Sequence, residues 1–458
     1  ENHQVTPAAL ISGRELAIQF GLPKKSIRGL SVTEMAAFGR EAPMPEWGGA
    51  ELGTLYHMGR PENARLALDP DTLTAHVFIA GSTNSGKSNT VYQLLHQLCL
   101  KPNASVKFLV IEPAKGEYAK ALGGYEGVSV YGTNPRKAPM LRLNPFAFPE
   151  DIHVLEHIDR LVEIFNACWP MYAAMPAVLK DAMEAAYLSC GWSLSQSVCR
   201  SGRFPTFETL LDVLPDIIDQ SAYSRDTKSD YTGALVTRVK SLTNGVNGQI
   251  FCSAGKPVQL FDGNVIVDLS RVGSMETKAL LMGILMIQLQ ERRMSEGIGP
   301  NASLRHVTVL EEAHNLLRRT SPEQSAESGN LQGKSVEMLA NAIAEMRTYG
   351  EGFIIADQAP GLLDMAVIRN TNTKILLRLP EDSDRRLTGS AARLTEEQTA
   401  ELSRLEQGIA AVFQNHWLEP VLCKVNEFTE KRPFSFVEPQ ETSDPEMNCL
   451  LERLVENG

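Results

Sequence analysis

The 458-residue chain has few cysteines and no excess of positive charge. Its seven cysteines are scattered and contain no CxxC pair, which argues against a disulfide framework and against a zinc site. No apolar run is long enough to cross a bilayer and no secretory signal opens the chain, so we expect a cytoplasmic protein without a membrane span. The net charge of −11 is not the bulk signature of a nucleic-acid coat protein, although a local ring of Lys and Arg could still bind DNA.

The sequence also lacks an internal repeat and a metal-spaced cluster of His and Asp that would indicate a nuclease. What it does contain is the pattern G-x-x-x-x-G-K-[ST], typical of a loop that binds phosphate groups. Its two glycines let successive backbone N–H groups point into one concavity, where a lysine and a hydroxyl group complete an anion and metal site. We therefore predict that nucleotide phosphates are bound by Gly81, Ser82, Thr83, Asn84, Ser85, Gly86, Lys87, Ser88 and Asn89.

The residues around this pattern favour a phosphate-binding loop over a Gly/Ser-rich turn that binds nothing. Residues 76–80 form a short apolar run that predicts a buried strand leading into the loop. Residues 89–100 place Val91, Leu94, Leu95 and Leu98 at helical spacing, which predicts a helix leading out of it. In this arrangement Lys87 reaches the β- and γ-phosphates and the Ser88 hydroxyl binds Mg²⁺.

Short apolar runs alternate with helical patterns along most of the remaining chain. The runs at residues 106–111, 264–269, 307–310, 352–358, 374–379 and 409–413 predict strands, and residues 277–293, 338–349 and 395–405 predict helices. This alternation predicts an α/β fold with a mainly parallel sheet covered on both faces.

Changes in composition divide the chain into five parts. We predict a small N-terminal docking region at residues 1–65, the first half of a core at 66–150, a helical insertion at 151–250, the second half of the core at 251–425 and a tail at 426–458. The first part is poor in strand signal, and its glycines predict a loop. Polar residues at 318–334 predict a mobile loop. Because the chain begins with Glu1 rather than Met, we expect a chain that is processed, trimmed or cut from a longer protein.

Two adjacent carboxylates at the end of a predicted strand supply the chemistry that a phosphate-binding loop lacks. Hydrolysis needs Mg²⁺ and a group that orients or deprotonates water. Adjacent strand residues point in opposite directions, so we assign Glu311 to the Mg²⁺ and Glu312 to the general base. The alternative is a pair of solvated acids at the start of a helix.

Three further residues are candidates for catalysis. Gln358 ends the next predicted strand, where its amide could sense the γ-phosphate and the water; the alternative is a polar strand end. Arg347 and Arg369 could stabilise phosphoryl charge at a subunit boundary, or could form surface salt bridges.

Glu112 and Glu117 follow another predicted strand. One of them could lie near the nucleotide or at a contact between subunits. The alternative is that both belong to a solvated turn.

The order of these motifs resembles that of the HerA/FtsK-type ATPases, and most closely the HerA-like branch. The resemblance rests on residues 81–88, 112–118, 310–314, 347–350 and Gln358, and it covers residues 65 to about 425. It implies a RecA-like (ASCE) P-loop NTPase core and a hexameric homo-oligomeric ring with ATP and Mg²⁺ at the subunit boundaries. It also implies double-stranded DNA in the pore and Arg347 and Arg369 acting on the neighbouring subunit. The chain departs from the family at Glu311, where Asp is usual.

The resemblance implies a DNA translocase or helicase as the first hypothesis for function. A partner nuclease or another effector of a prokaryotic DNA-defence or restriction system is implied by analogy of fold. A nucleotide-gated scaffold for such a nuclease and a conjugative or secretion-type ATPase remain open as alternatives. Candidate DNA contacts lie in the insertion and in the predicted mobile loop, at Lys228, Arg238, Lys240, Arg318, Arg319 and Lys334.

Overall fold

The computed structural model describes residues 14, 26, 28, 35–43, 45, 49–169, 171–172, 174–251, 260–299, 301–320 and 331–436. The chain divides into two compact units, Glu1–Ala37 and Phe38–Gly458, and all elements given below belong to the second. Most of the predicted docking region before residue 49, the centre of the predicted mobile loop and the end of the predicted tail lie outside the described residues.

The strands of the second unit include most of the runs expected from the sequence. They are β1 (Ala50–His57), β2 (Arg60–Leu68), β3 (Val77–Ala80), β4 (Lys107–Glu112), β5 (Val128–Gly132), β6 (Trp192–Ser193), β7 (Val198–Cys199), β8 (Asn264–Asp268), β9 (His306–Glu311), β10 (Glu351–Asp357), β11 (Thr373–Leu376), β12 (Ile409–Gln414) and β13 (Val421–Val425). Eleven of them form one sheet in the order β2-β1-β13-β12-β11-β3-β10-β9-β4-β8-β5, and β6 pairs with β7 in a separate hairpin.

Seven neighbouring strands of this sheet, from β11 to β5, run parallel to one another. The strands from β2 to β12 join them through antiparallel pairs. Every residue of β3, β9 and β10 is buried, as expected for apolar strands that are covered on both faces. The predicted α/β fold with a mainly parallel sheet is confirmed.

Helices follow most of the strands. They are α1 (Lys87–Leu95), α2 (Tyr118–Leu122), α3 (Val154–Cys168), α4 (Met175–Ser189), α5 (Phe207–Gln220), α6 (Arg225–Tyr231), α7 (Thr237–Thr243), α8 (Gly245–Ile250), α9 (Met275–Ser295), α10 (Leu331–Glu345), α11 (Met365–Arg369), α12 (Asp382–Ala391) and α13 (Glu396–Glu401). Helices α3 to α8 lie within the segment that was predicted to be helical. This segment connects β5 to β8, which are neighbours in the sheet. None of the helices in the described residues is long and apolar enough to span a membrane.

The prediction of a strand-poor N-terminal region ending at residue 65 is wrong for its last part. Strands β1 and β2 form a hairpin that extends the main sheet, and residue 65 lies inside β2. Gly53, which predicted a loop, pairs with Val425 of β13. A Cβ atom at this position would lie 2.0 Å from the carbonyl oxygen of Lys424. The glycine is there because a neighbouring strand passes too close for any side chain.

A buried group of charges joins α9 to the amino ends of β9 and β10. The Glu351 carboxylate is fully buried and lies 2.8 Å from Arg293 Nε and 2.8 Å from His306 Nδ1. The Thr308 hydroxyl donates to the same carboxylate at 2.7 Å. Burial by itself opposes ionisation, but His306 and Arg293 lower the pKa of Glu351 to about 2. This network stabilises the edge of the sheet opposite the phosphate-binding loop.

Candidate nucleotide-binding and catalytic site

The phosphate-binding loop connects β3 to α1, as predicted, and is held by the two neighbouring strands. The Gly81 amide donates to the Asp357 carbonyl at 3.2 Å, and the Ser82 amide donates to the Arg378 carbonyl at 2.9 Å. A Cβ atom on Gly81 would lie 2.4 Å from Ser85 Oγ. Gly86 has a φ of +109°, a conformation that other residues rarely adopt. Both glycines of the pattern are thus required by the shape of the loop.

Lys87 lies in the centre of the site and contacts both predicted carboxylates. Its Nζ atom is 2.9 Å from Glu311 Oε1 and 3.2 Å from Glu312 Oε1, and all three side chains are less than a tenth exposed. Burial opposes the charged form of the lysine, yet the two carboxylates raise its pKa. Burial likewise raises the pKa of Glu311, and Lys87 offsets part of this effect.

The expectation that Glu311 and Glu312 point in opposite directions is wrong. Strand β9 ends at Glu311, and Glu312 has a left-handed backbone with φ 47° and ψ 52°. This turn reverses the alternation of the strand, so that both carboxylates reach Lys87. Such a conformation is uncommon for a residue other than glycine and often marks a functional site.

Gln358 links the second carboxylate to the phosphate-binding loop. Its Oε1 atom accepts a hydrogen bond from the Thr83 hydroxyl at 2.8 Å, and its Nε2 atom donates to Glu312 Oε1. A group that binds phosphate and a group that could activate water are therefore joined by one amide. The structure brings Thr83, Lys87, Glu311, Glu312 and Gln358 together, as the sequence predicted.

The surroundings of Glu311 and Ser88 are suitable for a divalent cation. The Tyr118 hydroxyl donates to Glu311 Oε2 at 3.1 Å, and the Tyr118 ring packs edge-on against Tyr92 with the ring centres 5.0 Å apart. Ser88 follows Lys87 in the first turn of α1. A hydroxyl and a carboxylate are the hard oxygen ligands that Mg²⁺ prefers, and these side chains place one of each beside the loop.

A polar pair that the sequence analysis missed lies behind Glu312. Asp357, the last residue of β10, accepts hydrogen bonds from the His314 amide at 2.9 Å and from His314 Nδ1 at 3.0 Å. The hydrogen bond to Asp357 raises the pKa of His314. Burial would raise the pKa of Asp357, but its hydrogen bonds lower it. The signals in the sequence were an acid at the end of an apolar strand and a histidine two positions after Glu312.

Glu112 organises a turn rather than lying free beside a nucleotide. It ends β4, and its carboxylate accepts hydrogen bonds from the amides of Glu117 at 2.7 Å and Tyr118 at 3.1 Å. Burial raises the pKa of Glu112 to about 8, although those two amides oppose the shift. The turn that Glu112 holds supplies the tyrosine that contacts Glu311.

The side chain of Asn89 is engaged by the C-terminal segment, which differs from its predicted contact with nucleotide. Its Nδ2 atom donates to the Asn426 carbonyl at 2.9 Å, and its Oδ1 atom accepts from the Phe428 amide at 2.8 Å. Phe428 is buried. The first residues of the predicted peripheral tail therefore pack against α1, and the amide of Asn89 is used for this contact.

The two candidate arginines lie at the opposite edge of the sheet. Arg347 is in a short 3-10 helix (Met346–Tyr349) that precedes β10, and Arg369 ends α11 before β11. Both strands run parallel to β3, so their amino ends point away from the phosphate-binding loop. The length of β10 separates the two edges by roughly 20 Å. Neither arginine reaches the site of its own chain, and both are exposed.

The candidate DNA contacts lie in two places. Lys228 and Arg238 have partners within the insertion, since Lys228 donates to the Asp219 carbonyl and Arg238 lies over the Trp169 ring. Arg318 and Arg319 are exposed and follow the turn that carries Glu312. The remaining candidates, Lys240 and Lys334, are also exposed.

Comparison with known proteins identifies relatives with similar sequences. Residues 50–245 match the family model of the central domain of helicase HerA. The DNA double-strand break repair helicase HerA of Sulfurisphaera tokodaii is 24% identical over 394 residues, which cover 83% of this chain and 72% of that protein. The same helicase of Sulfolobus acidocaldarius is 29% identical over 394 residues, which cover 84% and 70%.

Two solved structures share the fold. VirB4 of Thermoanaerobacter pseudethanolicus has a TM-score of 0.62 at 17% identity, covering 84% of this chain and 98% of that one. The plasmid coupling protein TrwB in complex with ADP and Mg²⁺ has a TM-score of 0.55 at 14% identity, covering 87% and 99%. Together with the site geometry, these similarities lead to one conclusion: the chain has the fold of the RecA-like P-loop ATPases, its residues 50–245 match the central domain of helicase HerA, and most of its length is similar to HerA helicases.

Proposed function

We propose that the chain is the ATP-hydrolysing subunit of a ring motor that translocates or unwinds double-stranded DNA. The observation that carries this proposal is the single hydrogen-bonded group formed by Thr83, Lys87, Glu311, Glu312 and Gln358 at the carboxyl edge of the sheet. It joins a phosphate-binding loop to a carboxylate that could act on water, and ATP hydrolysis needs both.

The loop and its neighbours fit ATP and Mg²⁺. Gly81 and Gly86 allow the tight turn of the loop, and Lys87 supplies a positive charge. Ser88 and Glu311 would hold the metal ion, which when bound would neutralise charge on the phosphates. The longer side chain of Glu311, compared with the Asp usual in the family, still reaches the neighbourhood of Lys87.

Catalysis would involve a change of partners for Lys87 and Glu312. Lys87 now contacts one oxygen of each carboxylate, and turning toward a phosphate would release the oxygen of Glu312. Glu312 would then be free to orient water and accept its proton, while Gln358 keeps it connected to Thr83. Phosphate binding would in this way release the group that performs the next step.

The position of the arginines supports a ring. Since Arg347 and Arg369 lie at the edge of the sheet away from their own site, they can act on phosphate charge only across a subunit boundary. A heterologous interface that closes on itself forms a ring. The family resemblance implies six subunits.

A nucleotide-gated scaffold for a partner nuclease is the second candidate function. It is favoured by the contacts of Glu312, because Lys87 and Gln358 both bind Oε1 of this carboxylate. If nucleotide binding did not break these contacts, ATP would be held and turned over slowly. Such a protein would assemble with its effector in response to ATP without moving DNA.

The experiment that tests the proposal compares ATP hydrolysis by the purified chain with and without linear duplex DNA. Glu312→Gln removes the proposed base without changing the shape of the side chain, and Glu126→Gln, at an exposed turn, is the matched control. We expect DNA to stimulate turnover in the wild type and in the control. We expect the Glu312 variant to lose roughly 100-fold or more of its turnover, as is common when a general base is removed.

Three other results would count against the motor. Slow turnover combined with ATP-dependent assembly would favour the scaffold. Turnover that duplex DNA does not change would favour a conjugative or secretion-type ATPase. Affinity for DNA that stays flat between low and moderate salt would contradict a duplex-binding motor, because contacts to several phosphates make binding steeply salt-dependent.

A further inference from the structure

Asp357 lies where three turns of the site meet. Its carbonyl oxygen accepts a hydrogen bond from the Gly81 amide of the phosphate-binding loop. Its carboxylate accepts from the amide of His314, in the turn after β9, and from the amide of Ala359, in the turn after β10, each at 2.9 Å. The side chain is fully buried. One residue thus connects the phosphate loop with the turns that carry Glu312 and Gln358.

The turn that carries Glu312 needs such support. Its left-handed backbone is unfavourable for a residue with a side chain, so surrounding contacts must hold it. The residue two positions later, His314, is bound to Asp357 through its backbone and through Nδ1. The same Nδ1 atom lies 3.7 Å from Glu312 Oε2, the carboxylate oxygen that does not contact Lys87.

We propose that Asp357 and His314 form a positioning pair that holds Glu312 in the orientation needed for ATP hydrolysis. The inference rests on the proposed function, because it assigns to the pair the alignment of the residue proposed as general base. The carboxylate fixes the imidazole and the backbone of the turn that carries Glu312, whose second oxygen lies 3.7 Å from the imidazole. Misplacement of a catalytic group by about 1 Å can reduce turnover by as much as roughly 100-fold.

Binding of a cation by these residues is the competing explanation. Within the described part of the chain, Glu312, His314 and Asp357 bring possible ligand atoms within 4.8 Å of one another. However, Glu312 Oε1 already binds Lys87 and Gln358, and the Asp357 carboxylate already accepts two amides and the imidazole. The hydrogen bonds account for the close approach of the three groups without a metal ion.

The test is a double-mutant cycle on ATP turnover in the full chain. His314→Ala removes the side-chain contact but keeps the backbone amide, and His314→Asn restores a donor of similar reach. Asp357→Asn keeps only one acceptor oxygen, so it cannot accept from His314 and from the Ala359 amide at the same time. We expect His314→Ala and Asp357→Asn each to lower kcat by roughly 10- to 100-fold. KM for ATP should stay within about twofold of the wild type, because the pair does not contact the phosphate loop through its side chains.

The cycle separates positioning from general damage to the fold. We expect the double variant to be little worse than either single variant, because both remove the same contact. His314→Asn should recover most of the wild-type turnover. His314 is partly exposed, so its variants stay informative even if Asp357→Asn fails to fold.

Several results would contradict the proposed positioning role of Asp357 and His314. Additive effects, no rescue by Asn, or a parallel rise in KM would each show that the contact does not position Glu312. If Glu312→Gln abolishes turnover while His314→Ala does not change it, the positioning pair is wrong and the proposed function stands. If the wild-type chain does not hydrolyse ATP at all, the proposed function and the pair are both wrong.

Discussion

Replacing Glu351 by glutamine tests whether the buried charges at the amino ends of β9 and β10 stabilise the fold. The substitution keeps the size of the side chain and removes its charge. It leaves the Arg293 side chain, which is about 1% exposed, without its closest carboxylate at 2.8 Å. It also weakens the hydrogen bonds that the carboxylate accepts from His306 and Thr308.

The expected magnitude follows from the pKa of the carboxyl group. Burial disfavours the ionised form, but His306 and Arg293 more than compensate and lower the pKa of Glu351 from 4.5 to about 2. At about 1.4 kcal/mol for each pKa unit, the ionised group contributes about 3 kcal/mol to the free energy of unfolding. Removing one partner of a buried ion pair typically costs a similar amount, about 3–5 kcal/mol.

The pH dependence has a definite sign. Because the folded-state pKa of Glu351 is depressed, its contribution is fully present above pH 4.5 and is lost as the pH falls toward 2. At pH 3 about half of the contribution or less should remain. The difference in stability between wild type and Glu351→Gln should therefore be constant from pH 7.5 to about 5 and should narrow below that.

Urea unfolding of the full chain, followed by far-UV circular dichroism at a series of pH values, measures this difference. Glu126→Gln, a substitution in an exposed turn, reports how much any loss of negative charge matters. A destabilisation below about 1 kcal/mol at pH 7.5 would refute the reasoning. It would mean that the attraction between Glu351 and its partners does not exceed the free-energy cost of burying their charges. If the difference in stability between wild type and Glu351→Gln does not narrow between pH 5 and pH 3, the stabilisation does not come from the charge of Glu351.

Three other predictions concern the sheet, the site and the ring. Gly53→Ala should destabilise the chain by more than roughly 2 kcal/mol, because the added Cβ atom would lie 2.0 Å from a neighbouring backbone atom. The melting temperature should fall accordingly. The control Gly233→Ala, with no atom within 4 Å of the added Cβ, should leave the melting temperature unchanged. Gln358→Asn, which is one methylene shorter, should lower kcat by about tenfold while the affinity for a fluorescent ATP analogue stays unchanged; a loss of affinity instead would contradict its linking role. Lys87→Ala and Arg347→Ala subunits, each inactive alone, should regain part of their turnover when mixed, and no recovery would contradict action across a boundary.

Much of the site could be predicted from sequence because its signals are local. The phosphate-binding loop is defined by eight consecutive residues, and the strand before it and the helix after it follow from the spacing of apolar side chains. The convergence of Glu311 and Gln358 on this loop was also predictable. The carboxyl ends of parallel strands meet at one edge of a sheet, so residues that end such strands become neighbours.

Other features depended on contacts between distant parts of the chain. Lys87 and Glu311 are 224 positions apart, and the order of the strands decides that they touch. The hydrogen bonds of Asn89 to the C-terminal segment and the close approach that requires Gly53 are likewise invisible in any short window of sequence.

The sequence by itself therefore determined which chemical groups the protein has and which strands and helices carry most of them. Only the tertiary structure decided how these groups pair: that Glu312 turns back toward Lys87, that Asp357 supports the turn, and that Arg347 lies at the opposite edge. The physical reason is the distance along the chain over which each effect acts. Periodicity and turn chemistry act over a few residues, whereas the direction of a side chain at the end of a strand depends on backbone angles and on neighbours supplied by the whole fold.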